Sequence, residues 1–190
     1  SADSLWRLLK NSNGEICYSN SDLCRFNTSS NKKVYLIGDS HAGSLMFDLK
    51  DRISKNEFQF ITSVSGSCFF YPGFDLLDNK TKKKDEFCND NNFQKLKKTL
   101  LKEKNSIIIF SGRLPLYLSK KRFNNLEGGI EAEWNESYIP VGKYKSIQDS
   151  FKNEVLQLSK KNKIILVYPI PEVGWSLNRK ILSQWIKREN

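Results

Sequence analysis

The sequence predicts an α/β fold, a three-layer α/β/α sandwich built on a parallel sheet. Strand-length apolar runs alternate with stretches of helical period four times along the chain, the pattern of a sheet with helices on both faces. The segments richest in chemistry, Gly38 to His41, Ser65 to Cys68 and Gly112-Arg113, each follow a strand, where ligands bind in such folds. At 190 residues and 22.0 kDa, the expectation is one domain spanning 1–190.

The elements follow in order. Residues 33–37 form a short β-rich run ending in Gly38-Asp39-Ser40, a strand meeting a turn. From 42 to 53, Leu45, Leu49 and Ile53 fall on one helical face. Residues 58–64 give the second strand, followed by a loop with Gly66, Cys68, Pro72 and Gly73. Residues 92–104 carry a helical stripe of Phe93, Leu96, Leu100 and Leu101, and 106–110 form a buried strand running into Ser111-Gly112-Arg113. The stretch 114–145, with Gly128-Gly129 and Trp134, is the least regular and is expected to be an excursion on the top face, a lid over the site. Residues 147–158 are helical, leading into a strand over 163–168 that Pro169 and Pro171 terminate. The tail 177–188 is amphipathic through Ile181, Trp185 and Ile186.

Composition narrows the function classes. Hydrophobic residues make up 38% and mean hydropathy is -0.55, and no apolar run approaches the roughly 20 residues that span a bilayer. Residues 1–10 lack the apolar core of a signal peptide, as expected of a mature or excised domain. The net charge of +10 favours anionic partners, but it consists largely of lysines scattered among asparagines, as at 80–84 and 160–163. Nucleic-acid binding would rest on that charge alone, since no nucleic-acid-binding module is recognisable, so no nucleic-acid partner is expected. With four cysteines, sequential pairing of Cys17 with Cys24 and Cys68 with Cys88 is the most economical of three connectivities, and four buried free thiols are the competing reading. No Cys-x-x-Cys spacing exists and there is one histidine, so no metal site is expected. An oxidising compartment suits the disulfide reading.

The block Val34-Tyr-Leu-Ile-Gly-Asp-Ser-His-Ala42 resembles the first block of SGNH, or GDSL, hydrolases, whose fold is the SGNH/flavodoxin-like sandwich and whose block serine is the nucleophile. The likeness is closer to the SGNH domains fused to membrane acyltransferase family 3 proteins, which O-acetylate bacterial surface polysaccharides. Ser65-Gly-Ser-Cys68, Phe123-Asn-Asn-Leu-Glu-Gly-Gly129 and Tyr168-Pro-Ile-Pro-Glu-Val-Gly-Trp175 carry it further, so that it extends from Val34 to Trp175.

The resemblance implies Ser40 as catalytic nucleophile and an oxyanion hole from the Ser40 amide, the Gly66 amide and Arg113, the last standing where the wider superfamily has asparagine. Arg113 as an ordinary ion-pairing residue is the competing reading. Asp39 and His41 have supporting roles, Asp39 as a turn or cap residue and His41 in shaping the loop. The family's C-terminal Asp-x-x-His block, which supplies the general base, is absent from these 190 residues. The domain is therefore expected to be C-terminally incomplete, or to have lost catalysis. The implied function is a serine-dependent O-acyltransferase acting, without a cofactor, on a carbohydrate acceptor such as a cell-surface polysaccharide or lipopolysaccharide. The acyl group would come from a membrane acyltransferase domain, expected on the same natural polypeptide, at the periplasmic or extracellular face of a bacterial inner membrane. A carbohydrate acetyl-esterase and an inactive carbohydrate-binding module are the alternatives. Two further readings stay open: Trp134 and the loop 123–129 shape a sugar groove or plug the core beneath a long loop, and Glu172 lines the pocket or orients its turn.

Overall fold

A computed structural model describes residues 9–19, 22–26, 30–55, 57–124, 126 and 133–169. The chain runs β1 (Cys24–Phe26), β2 (Lys33–Gly38), α1 (Ser40–Ser54), β3 (Gln59–Val64), β4 (Phe74–Asp78), α2 (Asp90–Lys102), β5 (Ile107–Ser111), α3 (Leu114–Ser119), β6 (Glu136–Pro140), α4 (Ile147–Leu158) and β7 (Lys163–Leu166).

Five strands form the main sheet in the order β1-β3-β2-β5-β7. The pairs β2·β3, β2·β5 and β5·β7 are parallel, and β1 joins β3 antiparallel at one edge, so the sheet is mixed and mostly parallel. β2 is central, and Val34 to Ile37 are all buried, as expected for a strand covered on both faces. Its side chains alternate between two cores. Val34 and Leu36 pack with Ala42 and Met46 of α1, whereas Tyr35 and Ile37 pack with Phe93, Leu96 and Leu100 of α2 and Leu158 of α4. The sandwich is thus α1 on one face and α2 with α4 on the other.

This layering creates the site's location. From β2 the chain leaves toward the α1 face, while from its neighbours β3 and β5 it goes on to α2 and α4 on the opposite face. Adjacent strands whose connections diverge leave a crevice at their carboxyl ends.

Two features differ from the sequence expectation. The stretch 114–145 is not simply irregular, because it holds α3 and β6. β6 pairs antiparallel with β4 in a separate two-stranded sheet, with Leu76 opposite Tyr138. The strand expected over 163–168 ends at Leu166. The expected helix over 177–188 lies outside the described residues, as do Gly128, Gly129 and Glu172. Disulfides join Cys17 to Cys24 and Cys68 to Cys88.

Candidate functional site

The site begins with a register. Gly38 of β2 is paired with Val64 of β3 on one side and with Ser111 of β5 on the other. Ser40, Gly66 and Arg113 each lie two residues beyond this single rung. Three segments separated widely in sequence therefore leave the sheet at one level, and Ser65 N donates to the Gly38 carbonyl at 3.2 Å, joining the first two loops.

Gly38 is required by this close approach. Its φ is +154° and a Cβ there would overlap the Ser111 carbonyl oxygen. Gly112 is similarly enclosed, because a Cβ would collide with the Phe69 ring and meet Asp39 Oδ2 at 3.2 Å.

Ser40 is the first residue of α1 and is half-buried. Among the described residues neither the Ser40 amide nor the Gly66 amide has a hydrogen-bond acceptor. At a helix N-terminus such an N–H carries the positive end of the dipole. Amides left without an acceptor on neighbouring loops are of the kind that can donate to a developing oxyanion.

Asp39 is 1% exposed and accepts three hydrogen bonds. Its Oδ1 takes the His41 amide at 2.7 Å, capping α1, and its Oδ2 takes the Arg113 amide at 2.7 Å and the Tyr117 hydroxyl. Burial, followed by the negative charge of Asp39, pushes the Tyr117 phenol well above its ordinary pKa, so it remains a donor. Asp39 thus ties the serine turn to the arginine loop and to α3, with both of its oxygens engaged. Arg113 occupies the N-cap position of α3 and its side chain is half-buried. His41 is adjacent to Ser40 on the same helix, and consecutive helical side chains diverge. Its Nδ1 is buried without a hydrogen-bond partner among the described residues.

The loop bearing Gly66 is held from outside the sheet. Tyr138 of β6 accepts from the Phe69 amide at 2.8 Å and donates to the Ser67 carbonyl at 3.2 Å. The Cys68–Cys88 bond links that loop to the residue preceding Asn89, the N-cap of α2. Trp134 packs its ring on Tyr117 and Tyr138, and its Nε1 donates to Glu136 at 2.7 Å. It is half-buried and belongs to the aromatic packing behind the site. Phe123 is 53% exposed. A cavity of about 340 Å³ opens beside Gly38 and Ser65, between α2 and the ends of β2 and β3, with apolar walls from Ile37, Phe69 and Phe93.

Tyr117 and Tyr138 were not foreseen from the sequence. Their contacts reach across 78 residues to Asp39 and 71 residues to Ser67, and no local motif signals them.

No curated protein and no solved structure matches the chain. No helix among the described residues is long and apolar enough to cross a membrane. The family model for the SGNH domain fused to AT3 domains matches residues 9–190, which include the serine turn, both flanking loops and the seven strands of the described residues. By this match the chain belongs to the SGNH domains that are fused to AT3 domains, an acyl-transfer or esterase type of domain joined to membrane proteins.

Proposed function

We propose that this domain is a serine-dependent O-acyltransferase that moves a small acyl group, such as acetyl, onto a carbohydrate hydroxyl. The observation that carries the reading is the shared rung: Gly38, Val64 and Ser111 are paired in one register, which places Ser40, Gly66 and Arg113 two residues beyond it.

In the first step the Ser40 hydroxyl attacks the donor's carbonyl carbon. Its proton goes to a general base, which passes it to the donor's leaving group as that group departs with the bonding electrons, leaving a seryl ester and a free base. The developing oxyanion is held by the Ser40 and Gly66 amides and the Arg113 guanidinium. In the second step a sugar hydroxyl, deprotonated by the same base, attacks the ester and Ser40 leaves with its proton restored. His41 directly follows Ser40 on α1, where consecutive side chains diverge, and is not assigned as the base. The base is the histidine of the family's Asp-x-x-His block, which these 190 residues do not contain. The donor is the fused membrane domain and the acceptor a surface polysaccharide, at the outer face of a bacterial inner membrane.

The test uses the polypeptide carrying that block. A serine-reactive phosphonate should give one adduct by intact mass, lost in Ser40→Ala. Removing one oxyanion donor, as in Arg113→Ala, should lower acylation by roughly 10²–10³. Acetylated acceptor and free acetate are then quantified together. Acetate alone would make the domain an esterase, and transfer surviving in Ser40→Ala would refute the mechanism.

A further inference from the structure

The segment that follows β5 carries an inference of its own. After Arg113 the chain forms α3, whose Leu116 and Tyr117 are buried while Leu118 is 47% exposed. Lys120 then adopts a left-handed backbone conformation at φ +57°, which ends the helix and turns the chain outward. Ser119 stabilises this turn, its hydroxyl donating to the Pro115 carbonyl at 2.7 Å and accepting from the Lys121 amide at 3.2 Å. Lys120 and Lys121 are exposed, as are Phe123 at 53% and Leu126 at 88%. A single exposed leucine on a soluble protein needs no explanation. Here three large apolar side chains share a stretch with Lys120, Lys121 and Arg122, and residues 114–126 contain no acid. Residues 155–171 also combine lysines with apolar residues and no acid, but they do not lie beside the serine turn.

Position adds to composition. Tyr117, the residue before Leu118, is fastened by its hydroxyl to Asp39, next to Ser40. The apolar and cationic patch is therefore attached at the end of the sheet where the serine turn sits. The family joins this domain to membrane proteins, so the domain works in the neighbourhood of a bilayer.

We propose that the surface formed by Leu118, Lys120, Lys121 and Phe123 docks on the anionic headgroup layer of a lipid bilayer. The apolar side chains enter the headgroup–acyl boundary and the lysines meet lipid phosphates, the two components that interfacial binding combines. Docked in this way, the carboxyl edge of the sheet faces the membrane. The attachment itself does not depend on Ser40 chemistry, and Ser40→Ala should bind vesicles as the parent chain does.

The experiment is co-sedimentation with vesicles of phosphatidylglycerol mixed with phosphatidylcholine, against phosphatidylcholine alone, at low and raised salt. Binding should require phosphatidylglycerol and weaken with salt. At roughly five-fold per lysine lost, Lys120→Glu with Lys121→Glu should weaken binding by about 25-fold or more. Leu118→Ser with Phe123→Ser leaves the charge intact and should weaken binding by about ten-fold. The control is Lys160→Glu with Lys161→Glu. These exposed lysines precede β7, at the other end of the strands, and their reversal should leave binding within about two-fold. Equal losses from both lysine pairs would mean attraction by net charge alone and would overturn the proposal. Absence of vesicle binding would also overturn it, leaving a protein surface as the occupant of the patch.

Discussion

Asp39 is the side chain whose removal discriminates most sharply between a structural tie and a catalytic acid. It is 1% exposed, and three donors from two segments converge on it. A hydrogen bond to a charged acceptor contributes about 1.5–3 kcal/mol, and losing an N-cap alone costs about 0.5–2 kcal/mol. Asp39→Ala loses the cap and also leaves the Arg113 amide and the Tyr117 hydroxyl without an acceptor. Allowing for non-additivity, it should cost about 4 kcal/mol of unfolding free energy. Asp39→Asn keeps the cap but sets an NH₂ donor against the Arg113 amide, and should cost about 2 kcal/mol. Tyr117→Phe should cost about 1.5–3 kcal/mol. Urea denaturation of the parent, both single variants and Asp39→Ala/Tyr117→Phe closes a double-mutant cycle. The coupling should be about 1.5–3 kcal/mol, because the second substitution removes nothing that the first has left in place. A coupling below about 0.5 kcal/mol would refute the tie. So would an Asp39→Ala variant as stable as the parent that had lost only its reactivity, the behaviour of a catalytic acid.

Three other outcomes follow from the packing. Gly38→Ala should cost about 3 kcal/mol or more, since a Cβ overlaps the Ser111 carbonyl oxygen at φ +154°; Gly14→Ala, at φ +81° with nothing within 4 Å, should cost only about 1 kcal/mol, and urea midpoints separate the two. Lys97→Met should cost about 3–5 kcal/mol because it strips the fully buried Glu154 of its ion pair, and adding Glu154→Gln should recover most of the loss in thermal unfolding. Burial opposes ionisation of Glu103, but hydrogen bonds from Lys33, Tyr35 and Ser106 together with the charge of Lys33 outweigh it and hold the carboxyl below its ordinary 4.5. Its contribution is present above that value and lost as pH falls through the lower folded value, so in urea midpoints taken against pH Glu103→Gln should flatten the acid limb of stability.

The sequence carried the main sheet because its strands are continuous apolar runs and its helices keep a 3.6-residue stripe. β2, β3 and β5 start or end within one residue of expectation, and α4 coincides with it. What escaped had weak local signals. β1 is three residues long and pairs through Cys24, Arg25 and Phe26. β4 contains Asp75 and Asp78, poor strand formers, and Asp75 is 8% exposed because it accepts from the Asp90 amide and pairs with Lys84. β6 ends in Pro140, which suits only an edge. The second sheet is therefore held by tertiary pairing that periodicity does not encode. The same contrast holds at the site. That the loops bearing Ser40, Gly66 and Arg113 leave the sheet together was legible because each follows a strand. The tyrosines that hold their loops were not, because those contacts join distant segments.

The stretch 114–145 then acquires a physical role different from an excursion above the sheet. Two of its side chains are fully committed to the loops that bear the site: Tyr117 to the serine turn through Asp39, and Tyr138 to the Gly66 loop through Ser67 and Phe69. Trp134 packs on both rings, so the two grips share one aromatic body. The Cys68–Cys88 bond closes a separation of 20 residues on the same loop, a constraint of about 3 kcal/mol on the unfolded chain. An amide donor stabilises charge in a transition state to the extent that it need not reorganise when the charge appears. Under the proposed mechanism, holding the Gly66 loop by a buried tyrosine, a disulfide and the Ser65–Gly38 bond would meet that requirement before any ligand arrives. Restraint of this kind stabilises any loop, and it also suits the proposed site, whose backbone amides must already be aimed.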